Sequence, residues 1–380
     1  MSLSNRHYPA LDGIRALAIL IVIPHNVNIL NVGSASLMFP VVAFAHAGWV
    51  GVQLFFVLSG FLITGALLDS QDSKNYYASF FWRRALRILP LYYVVLLLAL
   101  VVIPAFFALP RDLEATRHNA VWLWTFLSNW TQPYGAGVHG FAHFWSLAVE
   151  EQFYLLWPFI VRRNTPASLL RLCFAICVAA LTARSIMELT HFPHEALYTF
   201  TVCRMDALAL GAAAAAALRV PAIRTVLETK ISLVALLAFS LLALNALVTH
   251  AYGVYDNFDQ TLGYLFLAMG FALLILPAIL PAQGTVRSLY AVLGWRPLRL
   301  IGRYSYAMYV FHFPLHIFWG EPMLRELAAP PSPLIAVGYA LGVIAVSFAL
   351  AALSYYLFER HFLSLKSYFL PRANEPLPHH

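Results

Sequence analysis

Apolar runs of about twenty residues recur along this chain, and a run of that length is what an α-helix needs to cross the hydrocarbon of a bilayer. Candidate spans lie near residues 13–32, 47–68, 88–109, 143–161, 168–188, 198–217, 231–249, 261–281, 301–320 and 334–357. Charged residues make up 11% of the 380 positions and apolar ones 61%, with a mean hydropathy of +0.73. That leaves too little polar surface for a water-soluble globule of this length. Inside a bilayer every backbone polar group must find its partner within the protein, so spans of this length are helices. The sequence therefore predicts an all-α, polytopic integral membrane protein with about ten transmembrane helices around a central cavity. No internal repeat, low-complexity run or soluble appendage marks a second unit, so residues 1–380 read as a single transmembrane domain.

If the spans alternate, nineteen of the 24 Lys and Arg residues fall on one side. Arg111, Arg117 and Arg325 fall on the other, and Arg184 and Arg204 lie within spans. Basic residues collect on the cytoplasmic side, so both termini are expected there. The same bias accounts for a net charge of +7 with no nucleic-acid partner. The first apolar run is too long for a removable signal and lacks a small-residue cleavage site, so it is expected to stay as a span. Cys173, Cys177 and Cys203 fall in spans with no second ligand cluster beside them, so neither a disulfide nor a metal is assigned.

Polar residues inside these runs carry the functional argument, because an ionisable group in hydrocarbon is costly and is kept for pairing, transport or chemistry. His25 follows Pro24 in the first run, and Arg15 stands ten positions earlier, roughly 15 Å along a helix axis. A cation near one face then sits beneath an imidazole near the midplane. The fourth run opens His143-Phe144-Trp145-Ser146 and continues through Glu150-Glu151-Gln152-Phe153-Tyr154. His143, Ser146, Glu150 and Tyr154 share one helical stripe, with Glu150 placed to pair with His25. Glu151 points about 100° away and would brace a neighbouring helix through an arginine or a backbone donor. A structural ion-pair network is the alternative for both acids.

Arg204 and Asp206, in the sixth run, face different directions and read as bonds between helices, with Arg204 also a candidate contact for an acceptor or an acyl carbonyl. In the ninth run Ser305, Tyr309 and His312 follow the i, i+4, i+7 pattern, which serves interhelical hydrogen bonding and a pocket wall alike. Glu359 reads as a cap or as a partner of Arg360 or the loop arginines. Arg83 and Arg87 are four apart on one helical face with Arg84 beside them. With Arg15 they read as a phosphate clamp, because guanidinium forks hold phosphate oxygens bidentately; a membrane-surface anchor is the alternative. The outer piece near residues 110–142 holds Trp122, Trp124, Trp130 and Tyr134, an interfacial belt first and sugar-stacking platforms second. Asn129-Trp130-Thr131 has the glycosylation pattern, which is short enough to arise by chance.

Taken in order, several motifs resemble acyltransferase family 3 over nearly the whole chain. They are Leu11-Asp12-Gly13-Ile14-Arg15 followed by His25, the segment Gly51 to Phe61, Arg83-Arg84 with Arg87 and Pro90, the segment His143 to Tyr154, Arg204 with Asp206, and Ser305-Tyr306 with Tyr309 and His312. Members of that family are polytopic, mostly bacterial membrane O-acyltransferases that move acetyl or other short acyl groups onto glycans and glycosylated metabolites. The resemblance implies that Arg15 and His25 are essential. It also implies that acyl-CoA, most often acetyl-CoA, enters from the cytoplasm, and that the protein sits in the bacterial inner membrane. There are departures. Nine residues separate Arg15 from His25 where the family usually has ten, which leaves the two about 80° apart on a helix unless Pro24 kinks it. Gln53 stands where many relatives carry Asp, and Arg360 where Pro is usual.

Direct transfer is the expected chemistry. Neutral His25, oriented by Glu150, takes the proton of an acceptor hydroxyl as it attacks the thioester, while Arg15, Arg83, Arg84 and Arg87 hold the CoA phosphates. Tyr309, Ser305, Gln152 and Trp145 are candidate donors to the developing oxyanion. An acyl-His25 intermediate is the mechanistic alternative, and a proton-coupled transporter is the rival class. The expected acceptor is a glycan or glycolipid in a surface polysaccharide, lipid-linked oligosaccharide or peptidoglycan, with a macrolide or other glycosylated metabolite as the alternative. Nothing in the sequence speaks to oligomeric state.

Overall fold

The computed structural model describes residues 7–27, 45–106, 111–135, 138–249, 257–326 and 332–371. Among them there are helices and no strand, as backbone in hydrocarbon requires. The longer helices are α1 (Pro9–Asn26), α2 (Val50–Asp69), α3 (Tyr76–Leu97), α4 (Trp145–Arg162), α5 (Pro166–Leu189), α6 (Thr201–Ala217), α7 (Ile231–Val248), α8 (Tyr264–Ile275), α9 (Arg296–Leu315) and α10 (Pro333–Ser354). Two of them start on a proline with a hydroxyl cap before it. Thr165 accepts from the Ser168 amide at 3.3 Å, and Ser332 accepts from the Ile335 amide at 3.3 Å.

By length and apolarity, 7 stretches of the described residues are able to cross a membrane, rather than the ten expected. They contain α2, α3, α5, α6, α7, α8 and α10. The other three helices are made less apolar by polar residues: Asp12, Arg15 and His25 in α1, Glu150 and Glu151 in α4, and Arg296, Arg299 and Arg303 in α9. Side chains such as Phe174, Leu247 and Leu334, each at least 72% exposed, form an outer surface suited to lipid tails. The chain is a multi-pass membrane protein.

Three boundaries differ from expectation. The third span begins at Tyr76 and runs to Phe106, 31 residues or roughly 46 Å, so Arg83, Arg84 and Arg87 lie within a helix and not on a segment before it. The last runs from Pro333 to Phe369. The first helix ends at Asn26, and the rest of that expected span beyond residue 27 lies outside the described residues.

Helix pairing sets where the polar stripes meet. The helix α1 lies against α9 and α2, α2 against α6, and α5 against α6. Contact between α1 and α9 depends on Gly302, where a Cβ would overlap the Asp12 carbonyl; Gly48, ahead of α2, likewise lies against the Ile21 carbonyl and the His25 Cβ. In the outer piece, Trp124 stacks on Tyr93 at 5.7 Å and Trp130 packs on Phe200 at 4.7 Å, so these rings brace the bundle, while Tyr134 is exposed. Asn129 is 0% exposed and donates to the Thr199 carbonyl and Thr201 hydroxyl, which closes it to glycosylation.

Candidate active site

Two cavities meet within the bundle. A broad vestibule of about 990 Å³ is walled by the starts of α1 and α9 and by the segment after α10, with Arg15, Arg87, Arg296, Arg299 and Arg303 among its lining. Deeper in, a cavity of about 140 Å³ lies between α2, α3, α4 and α9. Arg15, Arg87 and Tyr306 belong to the walls of both, so they form the throat between them. Tyr306 is held there by donating to the Ile88 carbonyl at 2.7 Å.

The deeper cavity's apolar lining includes Val52, Phe55, Phe56, Leu58, Leu62 and Leu147, and its polar lining includes Ser59, Arg84, Ser146, Glu150, Ser305 and Tyr309. Glu150 accepts from Ser59 at 2.8 Å with one oxygen and from Tyr154 at 2.8 Å with the other. Arg84 lies over the Tyr154 ring at 4.2 Å. The facing stripes of α4 and α9 meet where Tyr309 donates to the His143 carbonyl at 2.7 Å, with the Ser146 hydroxyl 2.7 Å away. Beyond that contact His312, 0% exposed, donates from Nδ1 to the Tyr309 carbonyl at 2.7 Å and accepts at Nε2 from Asn26 at 2.8 Å. The His143 ring packs against His312 at 5.0 Å, and neither of its nitrogens has a hydrogen-bond partner among the described residues.

His25 sits at the level of Asn26 and lines neither cavity. Its Nδ1 donates to the Ala45 carbonyl at 3.2 Å, since a carbonyl can only accept, which leaves Nε2 as the proton-accepting atom. The expected Glu150 to His25 pair is not formed. The chain reaches the His312 level at His143, in the helical turn just before α4, and Glu150 is seven residues, roughly 10 Å, further along toward the throat. The ten-residue spacing persists in the structure: Arg15 faces the cavities and His25 faces Gly48 and Ala45.

Other expected site residues are placed elsewhere. Arg83 is exposed and lines neither cavity: the lining face of α3 is centred near Arg84, between Arg87 and Ile88, and Arg83 lies about 40° beyond its Arg87 edge. Gln152 cannot serve an oxyanion: its amide nitrogen donates to the Phe126 carbonyl and Asn129, and its oxygen accepts from Trp130 and Thr201. Trp145 packs between Phe56 and Tyr198. Glu151 lacks the bracing bond expected of it, and its Oε1 is buried with no hydrogen-bond partner among the described residues. Arg204, 0% exposed, donates to Gln53 at 2.5 Å and is boxed by aromatic rings, with Tyr264 at 4.2 Å and Tyr198 at 5.1 Å. Asp206 makes a fully buried ion pair with Arg184 at 2.8 Å.

Sequence reasoning missed Ser59, Tyr306 and the vestibule arginines Arg296, Arg299 and Arg303. The arginines carried a signal, an i, i+3, i+7 pattern leading into the ninth span, but the expected gathering of basic residues on one side explained them equally well.

The chain is similar in sequence to bacterial O-acetyltransferases. Peptidoglycan O-acetyltransferase OatA of Listeria monocytogenes is 29% identical over 376 residues, covering 94% of this chain and 56% of its own length. The putative peptidoglycan O-acetyltransferase YrhL of Bacillus subtilis is 31% identical over 381 residues, covering 94% of this chain and 55% of its own. O-acetyltransferase OatA of Staphylococcus aureus is 27% identical over 328 residues, covering 83% and 51%. The chain thus spans about half the length of the curated relatives it matches. No solved structure matches it. The sequence pattern of one family, described as an acyltransferase domain, matches residues 8–352, and the chain belongs to that acyltransferase family.

Proposed function

We propose that this chain is a membrane O-acyltransferase that moves a short acyl group, acetyl first, from acyl-CoA on the cytoplasmic side of a bacterial inner membrane to a hydroxyl of a cell-envelope glycan. The observation that carries this reading is the arginine-lined vestibule narrowing through Arg15, Arg87 and Tyr306 into a small hydroxyl- and carboxylate-walled cavity. Guanidinium forks suit phosphates at the wide end. The narrow end, at about 140 Å³, is close to a cavity of about 150 Å³ that accepts benzene in another protein, which suits a two-carbon acyl group and not a long chain. The cytoplasmic excess of basic residues supports the orientation, and the names of the Listeria and Bacillus relatives make peptidoglycan the first acceptor to try.

In the proposed reaction the thioester extends past the Tyr309 end of the deeper cavity to the His25 level, because His25 lines neither cavity, and there the acceptor oxygen attacks its carbonyl carbon while His25 Nε2 takes the proton. The tetrahedral intermediate collapses by breaking the carbon–sulfur bond, and the CoA thiolate leaves with that proton from the imidazolium. The Ala45 bond fixes the tautomer that this role needs. Tyr309 lines the deeper cavity and would meet a developing oxyanion by turning its proton away from the His143 carbonyl, and through His312 and Asn26 its helix joins the cavity to the His25 level.

The test is reconstitution of the full chain with acetyl-CoA and glycan acceptors, reading added acetyl mass on the acceptor. Transfer that is lost in His25→Ala supports the reading. Proton-coupled solute flux without any transfer overturns it in favour of a transporter.

A further inference from the structure

The vestibule holds more cationic charge than its own acids neutralise. Asp12 is engaged by Arg15 at 2.8 Å and by His7 at 2.7 Å, and Glu359 accepts from Ser354 at 2.9 Å. Arg303 is pinned on the Tyr355 ring, 4.4 Å from its centroid, and donates to its hydroxyl. Glu359 is also the carboxylate near Arg87, whereas Arg296 and Arg299 make no ion pair among the described residues, and the Arg299 Nε is buried there without a hydrogen bond. Like charges gathered in one recess repel unless an anion joins them. Arg296, Arg299 and Arg303 share one face of the first two turns of α9, and that face lines the vestibule. Helical rise puts Arg299 and Arg296 roughly 15 and 20 Å from Tyr309 along the axis. The rim and the deeper cavity are therefore joined by a path that suits a ligand with a long arm and an anionic head.

Resting on the acyl-CoA reading above, we infer that Arg296 and Arg299 bind the 3′-phosphate of the donor's nucleotide, apart from the diphosphate held nearer the throat. The donor is then selected by its nucleotide head. A carrier-bound phosphopantetheine thioester, which lacks that phosphate, is excluded at the rim.

Calorimetric titration of the full chain in zwitterionic nanodiscs with CoA and with 3′-dephospho-CoA tests this. CoA is expected to bind at least about tenfold tighter, as for a charge-assisted pair, and Arg296→Gln with Arg299→Gln is expected to remove that preference by weakening CoA alone. Equal affinities in the unaltered protein overturn the inference, and so does a preference that survives the double substitution. Loss of the preference on adding anionic lipid overturns it as well, because the rim is then a headgroup site. Acetyl transfer is measured on the same preparation. Transfer without a 3′-phosphate preference removes this inference alone, whereas a preference without transfer to any acceptor removes the enzymatic reading and leaves the nucleotide site standing.

Discussion

Between α5, α6 and α8, Arg184, Asp206 and Arg204 are each 0% exposed and face one another, backbone carbonyls, Gln53 and aromatic rings, with Nε and Nη1 of Arg204 left without a hydrogen-bond partner among the described residues. Between α2, α3, α4 and α9, Arg84, Glu150 and Tyr309 are held by hydrogen bonds and ring contacts as well, yet they stand around open volume. Both regions look alike in sequence, as charged groups in apolar runs. The difference lies in what each group faces: one set closes a helix seam, and the other leaves a side available to a ligand. Substitutions in the seam should therefore move stability, and substitutions around the cavity should move activity.

The largest effect is expected from His25→Ala, which removes the proposed base. Transfer should fall by about 10²–10⁴-fold with the thermal midpoint little changed, and a retained rate would take His25 out of the chemistry. Next comes the seam. Asp206→Ala leaves the Arg184 guanidinium buried without its carboxylate, a loss of about 3–5 kcal/mol, to be read as lost folded protein in detergent unfolding curves. Replacing both partners, Arg184→Met with Asp206→Leu, should recover most of that stability together with transfer. If the double variant is stable but inactive, the seam is part of the site and the comparison breaks down.

Tyr309→Phe is expected to cost about 1 kcal/mol of stability through the lost bond to the His143 carbonyl, with a clearly larger relative drop in the rate constant for transfer. An activity loss no greater than the stability loss would return Tyr309 to a structural role. Smallest in scale, Leu147→Ala should enlarge the apolar wall of the deeper cavity and shift the donor preference from acetyl toward propionyl or butyryl about 10-fold. An unchanged preference would mean that the acyl group is held elsewhere.

Much of this was legible in the sequence, residue by residue. Ser146, Glu150 and Tyr154 on one stripe of α4, and Ser305 and Tyr309 on one stripe of α9, follow from helical periodicity alone, and each stripe faces the cavity or its immediate wall. Arg15, Arg84 and Arg87 are likewise at the throat or in the cavity. The partner of Glu150 was not legible. Whether its carboxylate meets His25 or Ser59 depends on how far antiparallel α4 slides past its neighbours, and periodicity carries no information on that offset. Gln152 shows the same limit, since nothing local says that its amide is consumed by the outer segment at Phe126 and Asn129.

The amino-acid sequence by itself determined that this chain is a helical membrane protein and which polar residues share a helical face. These follow from the desolvation of backbone and side chains and from a repeat of about 3.6 residues per turn, both local properties. Tertiary structure alone decided that Arg184 neutralises Asp206, that Gln53 meets Arg204, and that arginines from α1, α3 and α9 converge on one vestibule. Those outcomes depend on the relative height and rotation of packed helices, which close contacts such as Gly302 against Asp12 set and no single helix contains.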